Sequence, residues 1–229
     1  MLKLAFAALL AALAAPAADA AAALTETELM WLKGAAPVLR DAEQRRLPVD
    51  IVVQPQVEAG HAPLAMGYVN GRCKLVLTMR GNPQAETTLQ GVPEHLKRAV
   101  IEAVTAHEIG HCWRYVQGAW HTLPAGFSEA PDDGKADRST SWRDMRRARR
   151  EEGYADLVAM AWTLTHHPEH YRDVHGWLTQ VRDDVPVAGS FHDTRAWVRL
   201  ARDASIFGAA ESPFEQALGV WKQGLLADD

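Results

Sequence analysis

The alternation of apolar and polar positions is clearest in the first half of the chain. After Pro48 a run rich in β-branched residues, Val49 to Val53, predicts a strand. Two further apolar runs, Met66 to Val69 and Arg72 to Met79, flank Asn70-Gly71. Both central positions of a tight hairpin turn need positive φ, which Asn and Gly supply, so these runs predict a β-hairpin. In its second arm Cys73, Leu75, Leu77 and Met79 share one face, and Lys74, Val76, Thr78 and Arg80 share the other. Cys73 is therefore expected on the inward side. Helical spacing dominates elsewhere. Residues 25–34 and 36–47 predict two short helices split at Gly34 and Pro37. Residues 80–91 read as a loop. Pro93 opens a long helix that stops at Gly118, with proline at the start and glycine past the end. Residues 119–140 read as an irregular insertion. A second long helix runs from about Trp142 to His166, Pro168 begins another, and 193–206 and 212–226 supply two more. Helices, a few strands, then almost only helices predict a mostly helical α+β domain with a small sheet in its N-terminal half.

Composition narrows the class without naming a function. The 229 residues are 48% hydrophobic and 23% charged, with a net charge of −5. That supports a folded core and excludes a disordered chain. The mild acidity argues against a protein built to grip nucleic acid or anionic lipid. Lys3, the apolar run Leu4 to Ala15 and the small residues Ala18-Asp19-Ala20 fit a secretory signal peptide over residues 1–20. Residues 21–229 are then expected to form a single exported domain, periplasmic or secreted. No later segment stays apolar for the 18 residues a membrane span needs. Export would place Cys73 and Cys112 where disulfides persist; two buried free thiols are the alternative.

The chemistry is concentrated in His107-Glu108-Ile109-Gly110-His111. Positions i and i+4 lie one above the other on a helix face, so both imidazoles can reach one metal ion. Glu108 sits beside that face, placed to act on a metal-activated water rather than on the metal. A catalytic zinc site needs three protein ligands and an open position. The second long helix offers the third in Glu152. Asp156, one turn on, would receive the outer ring N–H of a ligating histidine, foremost His107. Val100, Ile101, Val104, Ile109 and Trp113 make the motif helix a core helix, where two histidines and a glutamate without a purpose would be costly.

His-Glu-Ile-Gly-His followed by Glu152-Gly-Tyr-Ala155-Asp156 resembles the zincin superfamily of zinc metallopeptidases, in the glutamate-ligand branch typified by thermolysin. The Ala-Asp ending is most similar to the family of the CAAX prenyl protease and its soluble periplasmic relatives. The resemblance covers about fifty residues, His107 to Asp156. It implies a zincin-like domain, zinc on His107, His111 and Glu152, Glu108 as catalytic base, and a protein or peptide substrate. Arg114 and Gln117 stand where the metzincin branch requires Gly and His, which excludes that branch. Glu151 stands where thermolysin-type enzymes carry Asn. It could replace Glu152 as ligand, but no Asp follows it four residues on.

Relatives of this kind present a polar donor to the reaction's anionic oxygen after the glutamate helix. His192 in Ser190-Phe191-His192-Asp193-Thr194 is the candidate, with Asp193 or Thr194 expected to cap the next helix. Tyr154 is a second candidate, though packing is the expected role. Zincins also lay extended substrate against an edge strand above the motif helix. If the strand Cys73–Met79 packs there, Cys73 faces Cys112 and the two should form a disulfide. His166, His167, His170 and His175 cluster around Pro168 as polar surface or, less simply, a second metal site. His121 has no clear role. The basic run from Lys135 to Arg150 is expected to be a solvated face paired with Glu151 and nearby acids. The leading reading is an exported zinc metallopeptidase. A secreted zinc-binding protein without hydrolytic activity, or a zinc amide hydrolase acting on cell-envelope material, would use the same ligands.

Overall fold

Helix α1 (Glu26–Gln44) begins at Thr25, whose hydroxyl accepts from the Glu28 N–H while Glu28 accepts from the Thr25 N–H. The computed structural model describes residues 23–55, 62–118, 140–184 and 189–226, and side chains within 140–144 are excepted. The proposed leader, residues 119–139 with His121, and Lys135 and Arg138 lie outside the described residues. Two short helices were expected where α1 runs unbroken through Pro37. Its buried stripe Trp31, Ala35, Val38 and Ala42 recurs at helical spacing and packs on the motif helix. That packing outweighs one lost backbone hydrogen bond.

Strands β1 (Val49–Val53), β2 (Leu64–Val69) and β3 (Arg72–Leu77) form a sheet in the order β1-β3-β2. β1 runs parallel to β3, pairing Val49 with Cys73, and β2 runs antiparallel, pairing Leu64 with Leu77. Asn70 and Gly71 turn the hairpin at φ 53° and 76°, as the dipeptide requires. Cys73, Leu75 and Leu77 are buried on the inner face. The outer face carries Asp50 between Arg72 and Lys74. The strand expected to receive substrate, Cys73–Met79, is corrected here. β3 is central, paired on both sides, and the edge strand packed on the motif helix is β2.

The predicted loop 80–91 holds a short helix, α2 (Pro83–Thr87), capped by Asn82. The motif helix α3 (Glu94–Val116) and its partner α4 (Thr140–His166) form the central pair. A 3-10 turn at Pro168–His170 leads into α5 (Tyr171–Asp183). The predicted helix 193–206 is instead α6 (Arg195–Leu200) followed by a separate 3-10 turn, Ala204–Ile206, started by the Asp203 side chain. Helix α7 (Pro213–Leu225) closes on α4. Trp197 and Trp221 fill the gap between α4, α6 and α7, and Trp197 donates its indole N–H to the Trp221 carbonyl at 3.1 Å. The result is a mostly helical α+β domain with a small three-stranded sheet.

One covalent tie joins the layers. Cys73 of β3 and Cys112 of α3 form a disulfide, with Cα atoms 5.6 Å apart and both residues fully buried. Among the described residues no helix is long and apolar enough to cross a membrane.

Candidate metal centre

Helices α3 and α4 approach closely at the motif. Gly110 permits it: a Cβ there would stand 3.2 Å from Val158 Cγ2 and 3.4 Å from the Ala155 backbone. Ile109 and Cys112 are buried in the core, and His107 and His111 are turned to another face. Their Nε2 atoms lie 3.2 Å apart. Glu152 of α4 enters between them, Oε2 3.3 Å from His107 Nε2 and Oε1 3.3 Å from His111 Nε2. Among the described residues this is the one group of three histidine, cysteine or acidic side chains that could hold a metal ion.

Asp156 supports the group from behind. Its Oδ1 lies 3.0 Å from His107 Nδ1, leaving Nε2 to face the cluster. It also accepts from Arg182 Nε at 2.8 Å, Arg182 Nη2 at 2.6 Å and the Thr194 hydroxyl. Arg182 Nη2 reaches within 3.6 Å of Glu152 as well. Burial opposes ionisation of Asp156, yet Arg182 and His107 hold its carboxyl far below the ordinary range. Burial would likewise depress His107, but the hydrogen bonds and charges of Asp156 and Glu152 raise it to about 10. Glu152 lies well below its usual value, because the two imidazoles outweigh its burial. Ligation needs neutral imidazoles and an ionised carboxylate, so a cation at this group would compete with protons.

Glu108 is buried beside the donors. Burial, aided by Glu152, pushes its carboxyl above the ordinary range, while the imidazoles and the Met66 N–H pull against it. A carboxyl moved toward neutral pH is suited to taking and returning a proton. The group opens into a cleft of about 390 Å³, walled by Leu64 and Met66 of β2, Trp31 of α1, Tyr115 of α3, and Trp177 and Val181 of α5.

His192 reaches the rim of this cleft, Nε2 3.8 Å from Glu152 Oε2, with its side chain 60% exposed. Burial of its inner part and the charges of Arg182 and His107 lower its pKa. Glu151 is not a ligand: both its oxygens accept from Arg114, each at 2.8 Å, in a buried pair. This corrects its expected pairing with the basic run as well. Tyr154 is buried and donates to the Phe214 carbonyl, a packing role. Thr194 occupies the position before α6, but its hydroxyl serves Asp156, and Asp193 accepts from Gly189 and Arg195. The histidines near Pro168 disperse to separate partners: His167 to Glu102, His175 to the Val198 carbonyl, His166 to the Trp162 carbonyl.

Neither Arg182 nor Thr194 was expected as a partner of Asp156. A buried Asp demands donors, but nothing in the spacing singles out which of the arginines supplies them. No family model, curated protein or solved structure matches the chain.

Proposed function

We propose that this chain is an exported zinc-dependent peptidase in which Glu108 is the general base. The observation that carries the reading is a buried carboxylate standing beside three converging donors at the floor of a cleft. The donor set supports zinc: the two imidazole Nε2 atoms lie 3.2 Å apart and each has a Glu152 oxygen within 3.3 Å, and two imidazoles with one carboxylate suit a zinc site that keeps an open position.

When bound, zinc lowers the pKa of water and polarises a carbonyl. Glu108 takes a proton from the attacking water and returns it to the departing amine, so the peptide yields a carboxylate and an amine. His192 at the rim is a donor for the anionic oxygen formed in between. An extended protein or peptide substrate would pair with the outer edge of β2, giving main-chain recognition in the cleft. The leader read from the sequence directs the chain to the periplasm or beyond.

The test compares zinc-loaded wild type with Glu108→Gln on a broad peptide library. The variant should keep one equivalent of zinc and lose hydrolysis. His111→Ala should lose the zinc. Equal hydrolysis by wild type and Glu108→Gln would remove the catalytic reading. Cleavage of peptidoglycan fragments but not peptides would move the substrate to envelope amides.

A further inference from the structure

We propose that Tyr115 is a further catalytic residue of this site, its hydroxyl donating a hydrogen bond to the anionic oxygen of the tetrahedral intermediate. The assignment rests on the peptidase reading above. Tyr115 is four residues past His111 and eight past His107, so all three share one face of α3. The tyrosine Cα stands about 6 Å further along the helix axis than that of His111. Helical side chains lean toward the N-terminus, so its ring covers the turn that bears His111. The ring accordingly lines the same cleft as Glu108, His111 and Glu152.

A second element fixes the ring. Tyr68 of the edge strand stacks on it, centroids 4.9 Å apart and planes inclined by 3°. Tyr115 lines the cleft and Tyr68 backs its ring from β2. Burial, together with the charges of Glu151, Glu108 and Glu152, raises the Tyr115 phenol to about 12. A phenol, with an ordinary pKa of about 10, keeps its proton at neutral pH and can donate.

The chemistry balances without a proton from tyrosine. As water adds to the carbonyl carbon, Glu108 accepts a proton and the carbonyl oxygen becomes anionic. That oxygen accepts a hydrogen bond from Tyr115 while the phenol O–H stays intact. Collapse re-forms the C=O bond and breaks C–N, and the proton on Glu108 passes to the leaving nitrogen. A donor used only at this stage stabilises the transition state more than the bound substrate.

Tyr115→Phe removes one oxygen and keeps the ring stacked on Tyr68. Zinc content and melting temperature should stay as in wild type. On a cleaved peptide kcat should fall about 100-fold with KM changed less than about threefold. A phosphinic peptide, whose tetrahedral anion mimics the intermediate, should bind at least about 10-fold more weakly, read by calorimetry. Full kcat and unchanged phosphinate affinity in Tyr115→Phe, with Glu108→Gln inactive, would overturn the assignment and leave the peptidase reading standing. A rise in KM at unchanged kcat would make Tyr115 a substrate-binding residue and overturn it too. A zinc-loaded wild type that hydrolyses no peptide would remove both.

Discussion

Arg182 closes on Asp156 with two donors, Nε 2.8 Å from Oδ2 and Nη2 2.6 Å from Oδ1, and the carboxylate it grips is the one that holds His107 Nδ1. The arginine touches none of the three converging donor atoms at hydrogen-bond distance, yet it decides where Asp156 sits and so which way His107 faces. Its charge also lies 3.6 Å from Glu152, where it favours the ionised carboxylate.

Arg182→Met should therefore act through the histidine. Loss of a partner behind a ligating histidine typically costs about 10–100-fold in metal affinity. Competition with a chromophoric chelator would measure zinc affinity for wild type, Arg182→Met and Asp156→Asn. Both variants should weaken zinc, and the double variant should fall short of the product of the two effects, because both act on one contact. Wild-type affinity in Arg182→Met would mean that the arginine serves packing alone.

The disulfide makes a prediction about stability and the site together. A bridge across 39 residues of chain restricts the unfolded state by about 4 kcal/mol on chain-entropy grounds. Cys112 also adjoins His111, so the same bond anchors a candidate ligand. Cys73→Ser/Cys112→Ser should melt several degrees lower than wild type and bind zinc more weakly. Thermal scans with and without reductant, each with zinc titrated in, would show both effects. Equal melting in oxidised and reduced protein would remove the stabilising role.

Glu102 lies five residues before His107 on α3. It is buried and accepts from Trp162 Nε1 at 3.0 Å and Arg98 Nε at 3.0 Å, and lies 2.9 Å from His167 Nε2. Burial alone would raise its pKa, but these partners lower it. A carboxylate with a lowered folded pKa contributes stability that is full above its unfolded value of about 4.3 and lost as pH falls through the folded value. Glu102→Gln should thus be less stable than wild type near pH 6, by about 2 kcal/mol from hydrogen bonds to a charged group. The gap should shrink below about pH 4, as the wild-type carboxylate protonates. Urea unfolding from pH 3 to 7 would trace it; a gap independent of pH would contradict the linkage.

Periodicity reached far in this chain because strong local signals and tertiary packing agreed. Val49–Val53, the Asn70-Gly71 turn and the two long helices lie where alternation and capping residues put them. The i and i+4 spacing accounts for His107 and His111 sharing a face, and the need for a third ligand points to Glu152 on the second helix, which the structure brings to them. Failures arose where distant contacts decide. Pro37 would end a helix in isolation, but Trp31, Val38 and Ala42 are buried around it and carry α1 onward. Strand order is not written in alternation: the pattern of Cys73–Met79 fits an edge strand and a central one alike, and pairing with β1 makes β3 central. Thr194 looked like a cap because it precedes a helix, whereas a buried carboxylate 38 residues away claims its hydroxyl.

Neighbouring glutamates provide the sharpest test of the ligand set. Glu151 and Glu152 are consecutive on α4, so their side chains diverge by about 100° around the helix. Glu151 meets Arg114, whose guanidinium is stacked 4.4 Å over the Trp221 ring and is itself buried. Glu152 meets His107 and His111. Glu151→Gln should keep zinc and lose stability, because removing one partner strands the Arg114 charge in the core at a cost of about 3–5 kcal/mol. Glu152→Gln should keep the fold and lose most of the zinc, because a neutral amide is a poor ligand beside two imidazoles. Elemental analysis paired with denaturant unfolding separates the two. Zinc lost from Glu151→Gln while its unfolding midpoint holds would reverse the assignment of the two carboxylates.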